Sequence, residues 1–494
     1  MSSQTFSASQ GIKINWTRLI AMLTGVGLFF VVYFSPPWPD AIDPVGKHFP
    51  LSQEGKGAVA LFLLAGIWWV FEVVPIGVTS LLIGVMQALF MIRPAKAAFK
   101  DFMDPSVLFI FASLVIGMVF TKTGLTKRMA YKMLNIIGEK TSAIYFGIFL
   151  LITVLTLIMA HTAVAATMYP LLLAIYSLYG EGDKPTKFGK GLFIGMAYVC
   201  GAGSIITLLG SARAIVALGF FKEMVGVDTP FYELTLYMAP VGLIMVLLLW
   251  VFFMVFLKPE KAVIPGLRER VQELSENLGP ISRKEILALV IIFGAIVTMS
   301  LQVMIPSLQK LDKTAIILIS TILFFVVKIL DIEDLELIPW NIVLLFSGAM
   351  SIGFCLWETE AAKWMAVNWL AMFQKSHWLL FVLSIAFFVM IMTNFIMNVA
   401  AIAISLPVAL VIAGYLGVSS YVVMYAALVT AGMPFLLLVG AAPNAIAYDS
   451  KQFTSGEFLM YGVPASIILM AVVAFAILVI WPLLGMPITV PKAM

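Results

Sequence analysis

Apolar segments of membrane-spanning length make up most of this chain, and short polar loops separate them. Hydrophobic residues form 62% of the 494 residues and charged residues 11%, whereas soluble domains average about 45–50% and about 25%. A helix needs about 20 apolar residues to cross a bilayer, and many such segments are typical of a helical bundle rather than a β-barrel. The sequence therefore predicts an all-α polytopic membrane protein.

Apolar runs of two kinds alternate along the chain. Uninterrupted runs predict single spans at about 15–34, 57–73, 76–93, 106–121, 234–257, 284–302, 313–331, 340–357 and 459–484. Interrupted runs predict re-entrant hairpins at 143–180 and 378–416 and broken helices at 188–221 and 420–447. The fold predicted is about 11 transmembrane helices with two hairpins and two broken helices.

The first broken segment, 188–221, departs most from an uninterrupted span. Gly201, Gly203 and Gly210 loosen its backbone, and Arg213 stands among apolar residues. Unwound backbone at membrane depth is tolerated only where it is buried in protein or lines a cavity, and an intramembrane arginine indicates a functional site. The alternative is two separate helical elements, with Arg213 reaching a membrane surface.

The two halves of the chain repeat each other. The sequence AHTAVAATMYP at 160–170 is echoed by MNVAAIAISLP at 397–407, and LLGSARAI at 208–215 by LVGAAPNAI at 438–446. The offsets are nearly constant, at about 230 to 237 residues, which indicates a duplication. Duplicated halves with interrupted apolar segments in corresponding positions are typical of secondary transporters, whose substrate lies near the midplane. An odd number of spans in each half would give the repeats inverted topology.

This organisation predicts five parts. They are N-terminal scaffold helices (1–140), first-repeat transport elements (141–257), a cytoplasmic linker with an amphipathic helix (258–283), second-repeat scaffold helices (284–375) and second-repeat transport elements (376–494). The cluster of Lys122, Lys127, Arg128 and Lys132 indicates a cytoplasmic end by the positive-inside tendency. The polar N-terminus lacks a signal-peptide pattern, so the first helix is expected to be retained.

Composition also argues against several other classes of protein. A net charge of +4 gives no reason to expect nucleic acid as a partner. Two cysteines and three scattered histidines suggest neither a disulfide framework nor a metal site, so no metal or cofactor is expected. A phosphate loop is missing from the sequence, which disfavours a pump. A membrane enzyme, or a membrane subunit of a larger complex, would need a catalytic cluster at membrane depth, and the sequence offers no convincing one.

The paired tips and turns resemble the divalent-anion/sodium symporter family, which carries di- and tricarboxylates and, in some branches, sulfate. The family has Ser-Asn-Thr at each hairpin tip, then A-x-A-A and a proline, and a Gly-Thr-Pro-Pro-like turn in each broken helix. The tips here are AHT (160–162) and MNV (397–399), and the turns are GSARA (210–214) and GAAPN (440–444). The resemblance implies a homodimer in the bacterial cytoplasmic membrane, in which hairpins and broken helices move as an elevator against scaffold helices.

The resemblance also implies which residues form the site. Substrate-binding positions are expected at His161, Thr162, Ser211, Arg213, Asn398, Ala442, Pro443 and Asn444, and positions similar to the family's cation sites at Gly210, Thr393 and Gly440. The tips have lost several of the hard oxygen ligands that sodium prefers. His161 and Arg213 instead bring nitrogen donors.

Arg213 suggests how transport is coupled. A dicarboxylate entering a low-dielectric site needs its charge compensated, and arginine grips carboxylates bidentately. A fixed cation left uncompensated in the empty site should resist crossing the membrane. We therefore predict a sodium-independent exchanger of succinate, malate, fumarate or 2-oxoglutarate, with no sodium requirement.

Alternative interpretations of the coupling, the substrate and the polar residues remain open at this point. Transport could be sodium-coupled symport through backbone carbonyls at the two turns, and citrate or sulfate could be the substrate. His161 could bond a backbone carbonyl freed at the tip, and Arg213 could neutralise Asp449. Thr162, Asn398, Asn444 and Thr393 could satisfy loosened backbone rather than bind a ligand.

Overall fold

A computed structural model describes residues 16–42, 47–180, 184–302, 304–373 and 377–490. Within these ranges nine helices are long and apolar enough to cross a membrane, and four shorter apolar helices accompany them. The strands of the described chain are a two-residue antiparallel pair, β1 (Ala41–Ile42) with β2 (His48–Phe49). The predicted all-α polytopic membrane fold is confirmed.

The described part of the first half contains eleven helices. They are α1 (Trp16–Phe34), α2 (Gln53–Val70), α3 (Ile76–Leu89), α4 (Ala95–Lys100), α5 (Pro105–Thr123), α6 (Leu125–Ile137), α7 (Thr141–Thr156), α8 (His161–Leu178), α9 (Lys187–Ser204), α10 (Ala212–Val225) and α11 (Phe231–Phe256). A 3₁₀ turn, Asp101–Met103, joins α4 to α5.

The linker and the second half contain the remaining helices. They are α12 (Leu267–Asn277), α13 (Arg283–Leu301), α14 (Pro306–Gln309), α15 (Lys313–Val326), α16 (Ile332–Glu336), α17 (Trp340–Glu358), α18 (Ala361–Phe373), α19 (Trp378–Phe395), α20 (Asn398–Leu416), α21 (Ser420–Ala431), α22 (Ala442–Tyr448), α23 (Ser455–Phe475) and α24 (Trp481–Leu483). A 3₁₀ turn, Leu438–Gly440, precedes α22, and a π-helical turn, Ala476–Ile480, separates α23 from α24.

The interruptions that the sequence predicts are present. Helix α7 ends before the first tip and α8 begins at His161, while α19 ends before the second tip and α20 begins at Asn398. Helices α9 and α10 are separate, as are α21 and α22. The linker contains the expected amphipathic helix, α12. Proline lies inside both tip helices, at Pro170 and Pro407.

The two halves present the same order of elements. Helix α7 packs on α9 in the first half, and α19 packs on α21 in the second. Lys122, at the end of α5, pairs with Asp334, which shortly precedes the start of α17. The end of α5 and the start of α17 therefore lie on one face of the protein, so these two helices run in opposite directions.

The core lies where the broken helices and hairpins meet. In α20, 78% of an 18-residue apolar stretch is buried, against 22% of such a stretch in the peripheral helix α1. Tyr198 on α9 donates a 3.0 Å hydrogen bond to the carbonyl oxygen of Phe435, so the halves are also joined by polar contacts. Both cysteines of the chain, Cys200 and Cys355, are buried.

Candidate functional site

A cavity of about 1010 Å³ lies between the two halves of the chain. Four short segments contribute to its wall, and each is a tip or a turn that the sequence singles out. They are 160–163, 212–213, 397–399 and 440–442. The structure therefore brings both hairpin tips and both broken-helix turns to one space.

Three long helices begin at this cavity. Their N-cap residues are Ala160 for α8, Ser211 for α10 and Met397 for α20, and none makes a side-chain capping bond within the described chain. The first N–H groups of a helix lack intrahelical partners and carry a partial positive charge, so they favour anions. The cavity wall is therefore suited to a negatively charged ligand.

Arg213 lies in the first turn of α10 and lines the cavity, although only 2% of its surface is exposed. Its Nη2 donates a 3.0 Å hydrogen bond to Ser204 Oγ. Its Nε has no hydrogen-bond partner, and the guanidinium makes no ion pair with any residue that the structure describes, Asp449 included. Arg213 therefore keeps its charge available to the cavity.

His161 and Thr162 open α8 and line the same cavity. Both are half-buried. The His161 side chain makes no hydrogen bond within the described ranges, so it is not held by a freed carbonyl of the tip. The two residues can meet a ligand directly.

Asn398 and Thr393 form a bonded pair at the second tip. Thr393 Oγ1 lies 2.9 Å from Asn398 Oδ1 and 2.9 Å from the carbonyl oxygen of Ala431. Asn398 Nδ2 is buried without a partner, and Asn398 lines the cavity. Thr393 thus orients Asn398, and the Asn398 amide donor is left for a ligand.

One predicted substrate residue, Asn444, has a structural position in the second turn. Asn444 Nδ2 donates hydrogen bonds of 2.8 Å and 3.1 Å to the carbonyl oxygens of Pro434 and Leu437, so it satisfies the unwound backbone before α22. The described cavity wall includes Ala442 but not Ser211, Pro443 or Asn444.

Gly210 and Gly440, the two glycines expected at positions similar to the family's cation sites, lie where two backbone segments approach closely. A side chain at Gly210 would collide with the carbonyl oxygen of Thr156, and one at Gly440 would lie 2.9 Å from the carbonyl oxygen of Thr393. Gly440 lines the cavity and Gly210 does not. Both turns therefore press against the end of the hairpin helix that precedes the tip.

Two residues of this site escaped sequence reasoning. Asn394 Oδ1 accepts the backbone N–H groups of Leu436 and Leu437, at 2.8 Å and 3.1 Å, and so shapes the second turn. Gly432 gives the Arg213 guanidinium room against the backbone. The sequence places Asn394 in a polar tip but offers no sign of its partner, and Gly432 lies more than 200 residues from Arg213.

The mouth of the cavity is charged. Lys122, Lys127, Arg270 and Asp334 line it, and Arg270 belongs to the linker helix α12. The mouth therefore lies on the face that carries the linker. Basic side chains at a cleft attract anions by their summed field.

The fold and the cavity together define a class of molecule: a helical polytopic membrane protein in which two similarly built halves enclose a cavity between broken helices. The chain matches the family model described as sodium:sulfate symporter transmembrane region over residues 13–487, and it belongs to this family. The predicted membership in the divalent-anion/sodium symporters is confirmed. The chain is a multi-pass plasma-membrane protein of a transporter family, not of a family of enzymes.

Its relatives include two bacterial proteins named sodium-dependent dicarboxylate transporter SdcS. The protein of Staphylococcus saprophyticus is 22% identical over 463 residues, which cover 89% of each chain. The protein of Staphylococcus aureus strain bovine RF122 is 23% identical over 501 residues, which cover 96% of this chain and 93% of the relative.

A solved structure has a similar fold. It comes from the work titled "Structure and Function of Neisseria gonorrhoeae MtrF Illuminates a Class of Antimetabolite Efflux Pumps". The TM-score is 0.59 at 13% sequence identity, and the match covers 97% of this chain and 96% of the other. At this identity the likeness concerns the fold alone.

Proposed function

We propose that this chain carries four- and five-carbon dicarboxylates across the plasma membrane. The printed names of its relatives support dicarboxylate transport. The observation that carries the proposal is Arg213, a buried cation at the cavity with no carboxylate partner in the described chain. A buried charge without a partner is costly, so a ligand that supplies the opposite charge is favoured.

The substrate is held between the two tips. One carboxylate faces Arg213, His161 and the N-terminus of α8, and the other faces Asn398 and the N-terminus of α20. Helix N-termini and the Asn398 amide donate hydrogen bonds to carboxylate oxygens. Arginine adds a positive charge that can pair with a carboxylate.

Transport itself follows an elevator mechanism in a homodimer. The elements expected to move are the hairpins and broken helices, which pack on one another around the cavity. The opposite directions of α5 and α17 support inverted repeats. A transporter with inverted repeats alternates by rocking or sliding one set of elements against the other.

Sodium-coupled symport is the coupling mode that the relatives' names favour over the predicted sodium-independent exchange. Obligatory exchange would follow from an uncompensated cation in the empty site. Arg213 instead bonds Ser204 and lies against Gly432, at the ends of α9 and α21. Carbonyl dipoles there offset part of its charge without substrate, so exchange is no longer required by the charge alone.

Exchange without sodium stays the second candidate because a fixed cation lines the cavity and two tip positions, Ala160 and Val399, carry no side-chain oxygen. A site with its own positive charge has less need of a bound sodium ion to neutralise a dicarboxylate.

Uptake of labelled succinate into proteoliposomes tests these proposals. Sodium-driven uptake into empty vesicles is expected for symport, and uptake that needs internal dicarboxylate but not sodium indicates exchange. Arg213→Ala should abolish either, whereas Arg268→Ala, which removes an exposed arginine of α12 outside the cavity wall, should not. A lack of dicarboxylate uptake in every condition would refute the substrate class.

A further inference from the structure

The C-terminal ends of α9 and α21 meet beside the cavity. Helix α9 ends at Ser204 and α21 at Ala431, followed by Gly432. The backbones approach so closely that a Cβ atom on Gly201 would lie 2.6 Å from the carbonyl oxygen of Gly432. The C-terminal ends of two half-helices, one from each half of the chain, therefore lie side by side, and the last carbonyl groups of each helix carry a partial negative charge.

The guanidinium of Arg213 occupies the edge of this volume. Its Nη2 donates to Ser204 Oγ at 3.0 Å, and Ser204 Oγ in turn donates to the carbonyl oxygen of Gly201 at 2.9 Å. A side chain at Gly432 would collide with Nη2. Arg213 thus contacts the last turn of α9 and the residue that caps α21.

The positive charge of Arg213 is stabilised by the ends of α9 and α21 rather than by the dipole of its own helix, α10. Arg213 is in the first turn of α10, where the helix dipole disfavours a cation. The ends of α9 and α21 each carry a partial negative charge, equivalent to about half an elementary charge. In the described part of the chain this guanidinium has no carboxylate partner, and it contacts Ser204 and Gly432 at these two helix ends.

We propose that Arg213 is a tethered cation that holds the ends of α9 and α21 together whether or not a substrate is bound. Unwound half-helix ends in membrane transporters commonly coordinate a free cation through their carbonyl groups. In this chain the guanidinium of Arg213 takes the place of such a free cation where the ends of α9 and α21 meet, and Ser204 and Gly432 position it. This role goes beyond substrate binding, because it predicts an effect on the empty protein.

Thermal unfolding of the purified full-length protein, without any dicarboxylate, tests this role. Arg213→Ala should lower Tm by several degrees, because it leaves two like partial charges facing each other. Millimolar methylguanidinium, compared with choline, should restore part of the loss in Arg213→Ala but not change the wild type. Arg268→Ala, on the exposed surface, should match the wild type in every salt.

Ser204→Ala is the milder variant if Arg213→Ala does not fold. It removes the hydroxyl that bonds the guanidinium and should lower Tm less than Arg213→Ala. An unchanged Tm in both variants, or a loss in Arg213→Ala that methylguanidinium does not restore, would overturn the proposal. Because Tm is measured without substrate, such a result would leave the proposed transport function standing.

Discussion

At the scale of single residues, the two tips are built alike but carry different chemistry. His161 and Arg213 of the first half bring nitrogen donors to the cavity, and Asn398 of the second half brings an amide held by Thr393. The residues from the first half include a cation, Arg213, whereas those from the second half are neutral. A ligand with two negative ends therefore meets unequal partners.

Replacing Asn398 by aspartate should abolish dicarboxylate uptake. The variant retains the shape and an oxygen that can accept from Thr393, but it removes the unpartnered amide donor and adds a negative charge to the wall. We expect a loss of at least tenfold, since a like charge in a poorly solvated site costs more than ~1.4 kcal/mol.

The matched control is Asn368→Asp, because Asn368 lies on the exposed surface of α18 and bonds only a backbone carbonyl of its own helix. Initial rates of labelled succinate uptake, normalised to protein amount, measure both variants. An Asn398→Asp protein with wild-type uptake would contradict the assignment of Asn398 to the substrate.

Sequence reasoning identified the charged and polar residues of the cavity but not all of their roles. An arginine at membrane depth is rare enough to stand out, so Arg213 was predicted and does line the cavity. The resemblance implies that Asn444 binds substrate, with the loosened backbone as the alternative partner, and in the structure its amide donates to the backbone carbonyls of Pro434 and Leu437. Only the three-dimensional structure shows whether a polar side chain already has a hydrogen-bond partner inside the protein.

At the scale of elements, the interruptions of apolar periodicity were predictable. Glycine and polar residues located both broken helices and both tips, because unwound backbone needs them at membrane depth. Helices α4 and α6 were not predicted as elements of their own. Helix α4 is too short to have a period, and α6 carries Lys127, Arg128 and Lys132 on an amphipathic surface, which reads as a loop by hydropathy.

Helix α12 should assist substrate entry through Arg270. Its side chain lines the mouth of the cavity, so Arg270→Glu reverses one charge of a basic rim. We expect the KM for succinate on this face to rise severalfold at low ionic strength, with little change in the maximal rate, and the effect to shrink at high salt.

The control for this charge reversal lies on the same helix. Arg268→Glu changes the charge of α12 equally but does not lie in the cavity wall among the described residues. KM and maximal rate should be measured at two salt concentrations in oriented vesicles. Equal effects of the two variants would indicate a general surface field rather than a role for the rim.

The linker also anchors the start of α9. The Glu260 carboxylate accepts the N–H groups of Lys187 and Phe188 and the hydroxyl of Tyr179. Burial favours the neutral acid, but these hydrogen bonds outweigh it and hold the pKa of Glu260 below its usual value. A carboxylate with a depressed pKa stabilises the fold above its ordinary pKa, near 4.3, and loses that effect as the pH falls.

Glu260→Gln should therefore lower Tm at pH 7 and have less effect near pH 4. The expected loss at neutral pH is about 0.3–1 kcal/mol, the range for an anion at a helix N-terminus. Glu223→Gln, which changes an exposed carboxylate near the C-terminal end of α10, is the control and should not lower Tm. A difference between Glu260→Gln and wild type that stays constant from pH 7 to pH 4 would contradict the electrostatic explanation.

At the scale of the whole molecule, the cavity opens on one face. Helix α11 starts near Asp228, which pairs with Lys313, and ends where the linker begins. Its 26 residues span roughly 39 Å, so Lys313 and the linker lie on opposite faces. The mouth at Arg270 is on the linker face, which we expect to be cytoplasmic by the positive-inside tendency.

A cysteine placed at Ala166, an exposed position of the cavity wall, should react with a membrane-impermeant thiol reagent from the linker face only. Lys310→Cys, on the face of Lys313, should react from the other side. The native cysteines are buried and give a low background. Labelling of both positions from the same side would contradict the direction of the cavity.

The unlike chemistry of the two tips has a stereochemical consequence. Arg213 and Asn398 are chemically different groups in the wall of one cavity, so a substrate with two different ends has a preferred orientation there. With both carboxylates held, the hydroxyl beside one of them meets the chiral wall differently in the two mirror-image forms. The two halves repeat the order of their elements but not the side chains at the cavity. We therefore expect the site to distinguish L-malate from D-malate.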